Sequence, residues 1–215
     1  LRRGHTVGAK RIADTSQAEL AGMMMGELDV SERDASSLRF AGAKKVVLAL
    51  KDATVLGPRG EAALKEVSLS VAAGEILAVA GVEGNGQREL AEAVCGLRPL
   101  ACGSLQVEGR IAYVPEDRHR HGLLLAAPAW ENTLLGRQDE SQFGKPWALD
   151  LAAARALAAA IVKDYDVRPP QMEQPAGAFS GGNQQKLIVG REIAKSPSLL
   201  VAANPTRGVD LGAAR

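Results

Sequence analysis

The sequence predicts an α/β fold with a mainly helical insertion, and three observations carry that expectation. An apolar Ile-Leu-Ala-Val-Ala run at 76–80 leads into a glycine loop and then into helically spaced Leu90, Ala91 and Val94, the opening of a βα unit. Helical spacing over 184–194 stops before Pro197 and is followed by a Leu-Leu-Val-Ala run at 199–202. Between these blocks an alanine-rich helical stretch at 129–165 is closed by Pro169 and Pro170.

The first thirty residues read differently. Thr15 or Ser16 offers an N-cap oxygen, Glu19 follows Ser16 by three residues as in a capping box, and Leu20, Met23 and Met24 give a short helical face. A segment this short cannot bury a core of its own. Polar, irregular sequence at 31–44 reads as a linker. From Lys45 the pattern turns to strands: a β-rich run at 46–50, a Gly-Pro-Arg-Gly turn at 57–60, and alternation over 64–71. The continuous apolar run at 76–80 suits a strand covered on both faces. Gly96 ends the helix that begins near Gln87.

Composition narrows the function classes. The 215 residues carry 26 Lys+Arg against 25 Asp+Glu, so no basic field argues for nucleic acid. Aromatic residues are 3%, too few for a base-stacking platform, and the 46% apolar content is too high for a disordered chain. No apolar run reaches the length of a membrane span. Cys95 and Cys102 lack CxxC spacing and read as two reduced thiols rather than a disulfide or a zinc site. The chain begins with Leu, which is consistent with an internal piece of something longer.

The loop at 81–88 has the glycine spacing G-x-x-x-x-G-K-[ST] of a phosphate cradle. Gly81, Gly84 and Gly86 let successive N–H groups turn inward, with Glu83 and Asn85 between them, and the following helix adds its positive end. Two side chains depart from the pattern. Gln87 stands where a lysine would reach the phosphates, and Arg88 where a Ser or Thr hydroxyl would ligate Mg²⁺. Each lost charge-assisted contact costs about 1.5–3 kcal/mol, or one to two orders of magnitude in affinity. On the glycines alone, a plain turn joining strand to helix explains the loop equally well.

Phe179-Ser180-Gly181-Gly182-Asn183-Gln184-Gln185-Lys186 decides between these readings, because it resembles the signature sequence of ABC transporter ATPases. Ser180 with the N–H groups of Gly181 and Gly182 would open the next helix as an anion-binding terminus, with Asn183 and Gln184 completing the loop. In that family the surface closes over the γ-phosphate held by an opposing domain. Three further stretches match in order. Glu116, in Pro115-Glu116-Asp117-Arg118, takes the position of the family's Q-loop glutamine; Ala203 and Asn204 replace its Asp-Glu; Asp210 matches its D-loop. The amide of Asn204 has no basic site near neutral pH, so the base position is degenerate. Val55 and Leu56 lie about where the adenine-stacking aromatic belongs. Arg118, His119, Arg120 and His121 read as a solvated basic turn whose charge repels a divalent ion, and no metal site is assigned.

The resemblance covers roughly 46 to the C-terminus. It looks like the second, C-terminal nucleotide-binding domain of the tandem sugar and nucleoside importer ATPases, nearer the nucleoside branch. It implies a P-loop NTPase-like ABC ATPase domain with an antiparallel β edge and a helical subdomain at about 122–178, C-terminally truncated, with 1–30 as the remnant of a preceding domain and 45–215 as the incomplete second one. It also implies ATP as ligand, with Mg²⁺ in the partner site. The implied partners are a preceding nucleotide-binding domain in the same chain, two permease subunits and, indirectly, a substrate-binding protein. The implied location is peripheral, on the cytoplasmic side of the cell membrane. The helical insertion would receive the permease, with Trp130 and Trp147 as candidate exposed anchors. Two competing readings are a regulatory nucleotide-binding module that does not catalyse, and a soluble ABC protein outside transport.

Overall fold

The computed structural model describes residues 7–11, 14–16, 19, 22–23, 45–145 and 147–209. The chain divides into two units, Gly42–Val209 and Leu1–Ala41 with Asp210–Arg215. Within the second of these, the Glu19 N–H donates to Ser16 Oγ at 3.1 Å, the N-cap half of the expected capping box, while the Glu19 carboxylate accepts from Thr15 Oγ1 at 3.0 Å. The linker at 31–44 lies outside the described residues.

In the larger unit, strands β1 (Val46–Leu56) and β2 (Ala62–Ala72) pair antiparallel across the turn at 57–60. Strand β3 (Cys102–Val107) pairs antiparallel with β1 on its other edge, giving the order β2-β1-β3. β1 runs six residues past the expected end at Leu50 because it contains a bulge. Asp52 sits at φ 47°, its N–H donates to Ser68 Oγ at 2.8 Å, and the Ser68 hydroxyl donates back to Oδ1 at 3.0 Å. One face of this sheet packs Val47, Leu48 and Val71 against Val94 of helix α1 (Gln87–Val94) and against Leu199. Val55 and Leu64 close a second cluster on Ala93 of the same helix.

Strand β4 (Ile111–Val114) pairs in parallel with β7 (Leu199–Ala202), with Val114 opposite Ala202. The run at 76–80 is the main departure from expectation. It forms no strand, no described strand pairs with it, and it is exposed throughout, Ile76 to 84%. An apolar run states a demand for burial, but a strand exists only where a neighbour supplies its hydrogen bonds.

The insertion is not continuous helix over 129–165. It contains helix α2 (Ala129–Leu134), a short hairpin of β5 (Gly144–Lys145) and β6 (Ala148–Leu149), and helix α3 (Leu151–Asp164). Helix α2 has already stopped at Leu134, with Gly136 at φ 78°, and Gly144 then shapes the hairpin: at φ 105°, a Cβ there would lie 2.3 Å from the Ala148 carbonyl oxygen, so only glycine fits. Asp150 then restarts the helix, accepting from the N–H groups of Ala152 at 2.9 Å and Ala153 at 3.0 Å. Ala154 and Ala158 are wholly buried and pack with Trp130, Leu134 and Phe143. Trp130 is therefore no exposed anchor. It is 8% exposed, donates its indole N–H to Glu173 at 3.1 Å, and lies under the Arg155 guanidinium. Trp147 is 81% exposed.

Helix α4 (Gly181–Ala194) joins the insertion to the parallel strands. Ile188 is fully buried among Val114, Leu123 and Ala176. Arg191 and Glu192 form a buried ion pair at 2.7 Å. Arg191 also donates to the Gly122 carbonyl at 2.8 Å, and Glu192 accepts from the Tyr113 N–H at 3.2 Å and from Lys195 Nζ at 2.8 Å. These bonds satisfy both charges and fix α4 against β4 and the chain before α2.

Candidate functional site

The loop at 81–88 leads into α1 through two glycines in the left-handed region, Gly84 at φ 91° and Gly86 at φ 96°. Gly86 is required for a second reason: a Cβ would lie 2.5 Å from the Ala63 carbonyl oxygen on β2. A tight glycine turn thus leads into α1. Its Gln87 side chain is turned across it, donating from Nε2 to the Val82 carbonyl at 3.0 Å. The same amide lies over Gly81, 2.3 Å from where a Cβ would stand. Glu83, Asn85 and Arg88 are exposed.

Helix α4 opens differently. Ser180 is its N-cap residue, and the Gln184 N–H donates to the Ser180 carbonyl at 2.9 Å to start the helix. The Ser180 hydroxyl does not cap the backbone. It accepts from Asn183 Nδ2 at 2.8 Å, while Asn183 Oδ1 accepts from the Arg168 N–H at 2.7 Å. Ser180 is exposed, and among the described residues its hydroxyl donates to no acceptor. Gln184 is 4% exposed and satisfied at both ends: Nε2 donates to the Ala176 carbonyl at 3.2 Å, and Oε1 accepts from His119 Nε2 at 2.9 Å and Arg118 Nε at 3.3 Å. Gln184 is therefore a brace beneath the loop rather than a group facing out of it.

Past the parallel pair, Glu116 and Asn204 stand side by side, each two residues beyond the Val114–Ala202 register. Asn204 Nδ2 donates to Glu116 Oε1 at 3.0 Å, and Arg207 Nη1 makes an ion pair with the same oxygen. Asn204 adopts φ 45°, a conformation asparagine tolerates better than most residues. Mg²⁺ does not fit here. Ala203 offers no ligand, the Asn204 amide is directed at Glu116, and the one carboxylate is already neutralised by Arg207. Asp210 lies outside the described residues.

The basic turn is only partly solvated. Asp117 accepts from the N–H groups of His119 at 3.0 Å and Arg120 at 3.1 Å, starting a single π-helical turn at Arg118–Gly122. That turn aims Arg118 inward, where Nη1 donates to the Arg207 carbonyl at 2.8 Å and Nη2 to the Gly208 carbonyl at 3.1 Å. Arg120 and His121 remain exposed. Arg118, Arg207 and the Arg191–Glu192 pair were not legible as site residues. The one available signal for Arg118 was Asp117, a capping residue three positions after a strand.

Among the described residues, no helix is long and apolar enough to cross a membrane. A family model described as ABC transporter matches residues 64–207. The chain is 42% identical to the guanosine import ATP-binding protein NupO of Bacillus subtilis, over 99% of this chain and 44% of that protein. It is 41% identical to the glucose import ATP-binding protein TsgD13 of Haloferax volcanii, over 99% of this chain and 41% of that protein. It thus spans less than half the length of these curated relatives. Its fold resembles the ATP-binding cassette MJ0796, solved as a dimer in a post-hydrolysis state with ADP and Pi, at a TM-score of 0.65 and 22% identity over 77% of each chain. The architecture is the α/β, P-loop NTPase-like fold of ABC ATPase domains, with an antiparallel sheet and a helical insertion. The chain belongs to the ABC transporter family.

Proposed function

We propose that this chain is an ATP-binding part of an ABC importer for a nucleoside or simple sugar, and that its Ser180 loop completes an ATP site built on another domain's phosphate loop. In this reading 45–215 is the second domain of a tandem protein, 1–30 belongs to the first, and the pair sits on the cytoplasmic membrane face beneath two permease subunits. The names of the relatives support the importer class. One contrast carries the division of labour: the exposed Ser180 hydroxyl accepts from Asn183 and donates to no other described residue, while Gln87 is folded onto its own loop.

The residues act as follows. Asn183 donates to Ser180 Oγ, so the serine is set to donate to an incoming phosphate oxygen. The N–H groups of Gly181 and Gly182 and the positive end of a 14-residue helix add to that attraction. Bound ATP supplies the phosphoanhydride whose cleavage drives the cycle. At this domain's own loop, the Gln87 amide brings no positive charge to a phosphate, and Asn204 cannot take a proton from water. This half therefore binds nucleotide weakly and does not turn it over.

A structure of the closed tandem pair with ATP tests the assignment. Ser180 Oγ should lie at about 2.5–3.0 Å from a γ-phosphate oxygen held by the first domain. Ser180 turned away from every bound nucleotide refutes it. A regulatory module is the second reading, favoured by the Gln87–Val82 closure, and it predicts no ATPase activity with or without the first domain.

A further inference from the structure

We propose that Arg118 is a positioning residue that locks the Ser180 loop to the 204–209 loop, and so sets the turnover of the ATP that the Ser180 loop serves. The turnover part of this rests on the function proposed above; the mechanical part does not.

Arg118 spends its guanidinium on three acceptors from two distant parts of the chain. Nε donates to Gln184 Oε1 at the base of the Ser180 loop, and Nη1 and Nη2 donate to the carbonyls of Arg207 and Gly208. Two glycines leave room for it. A Cβ on Gly181 would lie 2.7 Å from Arg118 Nη2 and 3.0 Å from the Gly208 carbonyl oxygen. A Cβ on Gly208 would lie 3.2 Å from Nη2, and Gly208 adopts φ 64° besides. The guanidinium is therefore wedged between the first glycine of one loop and the last turn of the other.

The placement runs against simple electrostatics, because a cation is disfavoured at a helix N-terminus. Two backbone carbonyls supply the compensating negative ends, and Asp117 fixes the turn that delivers the side chain. A lysine cannot reproduce this fork of donors. The Arg207 that lends its carbonyl to Arg118 also pairs its side chain with Glu116. Movement at the end of the parallel strands is thus transmitted to Gln184 through one planar group.

The test uses the full-length protein, with hydrogen exchange measured in the absence of nucleotide and hydrolysis measured as a single-turnover rate constant, which does not depend on the folded fraction. Arg118→Ala should speed amide exchange at the bonded N–H groups of Gln184, Arg207 and Val209 by about tenfold or more, leaving β1 and β2 unchanged. It should also lower the rate constant about tenfold with little change in ATP affinity. Arg118→Lys, which keeps the charge and much of the volume, should fall between, and Arg120→Ala on the exposed side of the same turn should match the unmodified protein. Unchanged exchange at Arg207 and Val209 in Arg118→Ala overturns the lock, and so does an equal effect from Arg120→Ala. Faster exchange with an unchanged rate constant overturns the link to turnover. If Arg118→Ala does not fold, Arg118→Lys decides on the same two readouts. A harmless Ser180→Arg would instead sink the function proposed for the loop, leaving the exchange result to stand by itself.

Discussion

The loops at 81–88 and 180–184 both lead into a helix N-terminus, and both carry glycines where the helix begins. Their support differs. Beneath the Ser180 loop, Gln184 is buried and bonded at both ends, Arg118 braces it from the side, and Arg191 and Glu192 anchor the far end of the helix. The 81–88 loop rests on one close approach, Gly86 against Ala63, and follows a segment exposed along its whole length. Its one side-chain bond, from Gln87 to Val82, closes it on itself. Two loops with a similar glycine pattern thus differ in the layer of residues that holds them.

The contrast can be broken most strongly at its better-supported side. Arg191→Met leaves Glu192 buried with only Lys195 to offset it, and should cost about 3–5 kcal/mol in a denaturant titration. Hydrogen exchange should rise along α4 and stay unchanged at 81–88. A loss below 1 kcal/mol would mean the pair does not anchor the helix.

The weaker loop can be sharpened instead. Gln87→Lys removes the bond to Val82 and restores a cation, and should tighten nucleotide binding about tenfold, as one charge-assisted hydrogen bond implies. Equal affinities by calorimetry would show that the scaffold itself is defective. Catalysis should not follow, because Asn204 is unchanged.

The smallest effect concerns how the insertion is tied to β4. Hydrogen bonds from Arg137, then from Arg110 and Gln142, hold the Glu140 carboxyl down at about 2 from an ordinary 4.5. The folded value is the lower one, so the stabilisation is complete above the unfolded carboxylate value and is lost as pH falls from there through about 2. A carbon-detected titration should place the Glu140 midpoint near 2, and Arg137→Gln should return it toward 4.5. A midpoint unmoved by that change would remove Arg137 as the cause.

Much of this was legible in the sequence because it is local. The strands at 46–50 and 199–202, the helix from Gln87 and the Ser180 helix follow from periodicity, glycines and caps. The exposed run at 76–80 was misread because its residue types report apolarity and not pairing. The hairpin at 144–149 was missed because the alanine-rich run at 152–160 drew the helix reading back across Gly136 and Gly144. Arg118 and Arg207 were invisible as site residues for a different reason: Arg118 bonds across 89 or 90 positions to the carbonyls of Arg207 and Gly208, and backbone carbonyls carry no residue type.

The most direct measurement of the central claim is single-turnover ATP hydrolysis by the full-length protein, comparing Ser180→Arg with Gln87→Ala. Under the proposed division of labour Ser180→Arg should abolish hydrolysis, because the longer side chain fills the space a phosphate oxygen would take, while Gln87→Ala should leave most of it. A large loss from Gln87→Ala, with Ser180→Arg still active, would show that the division of labour runs the other way.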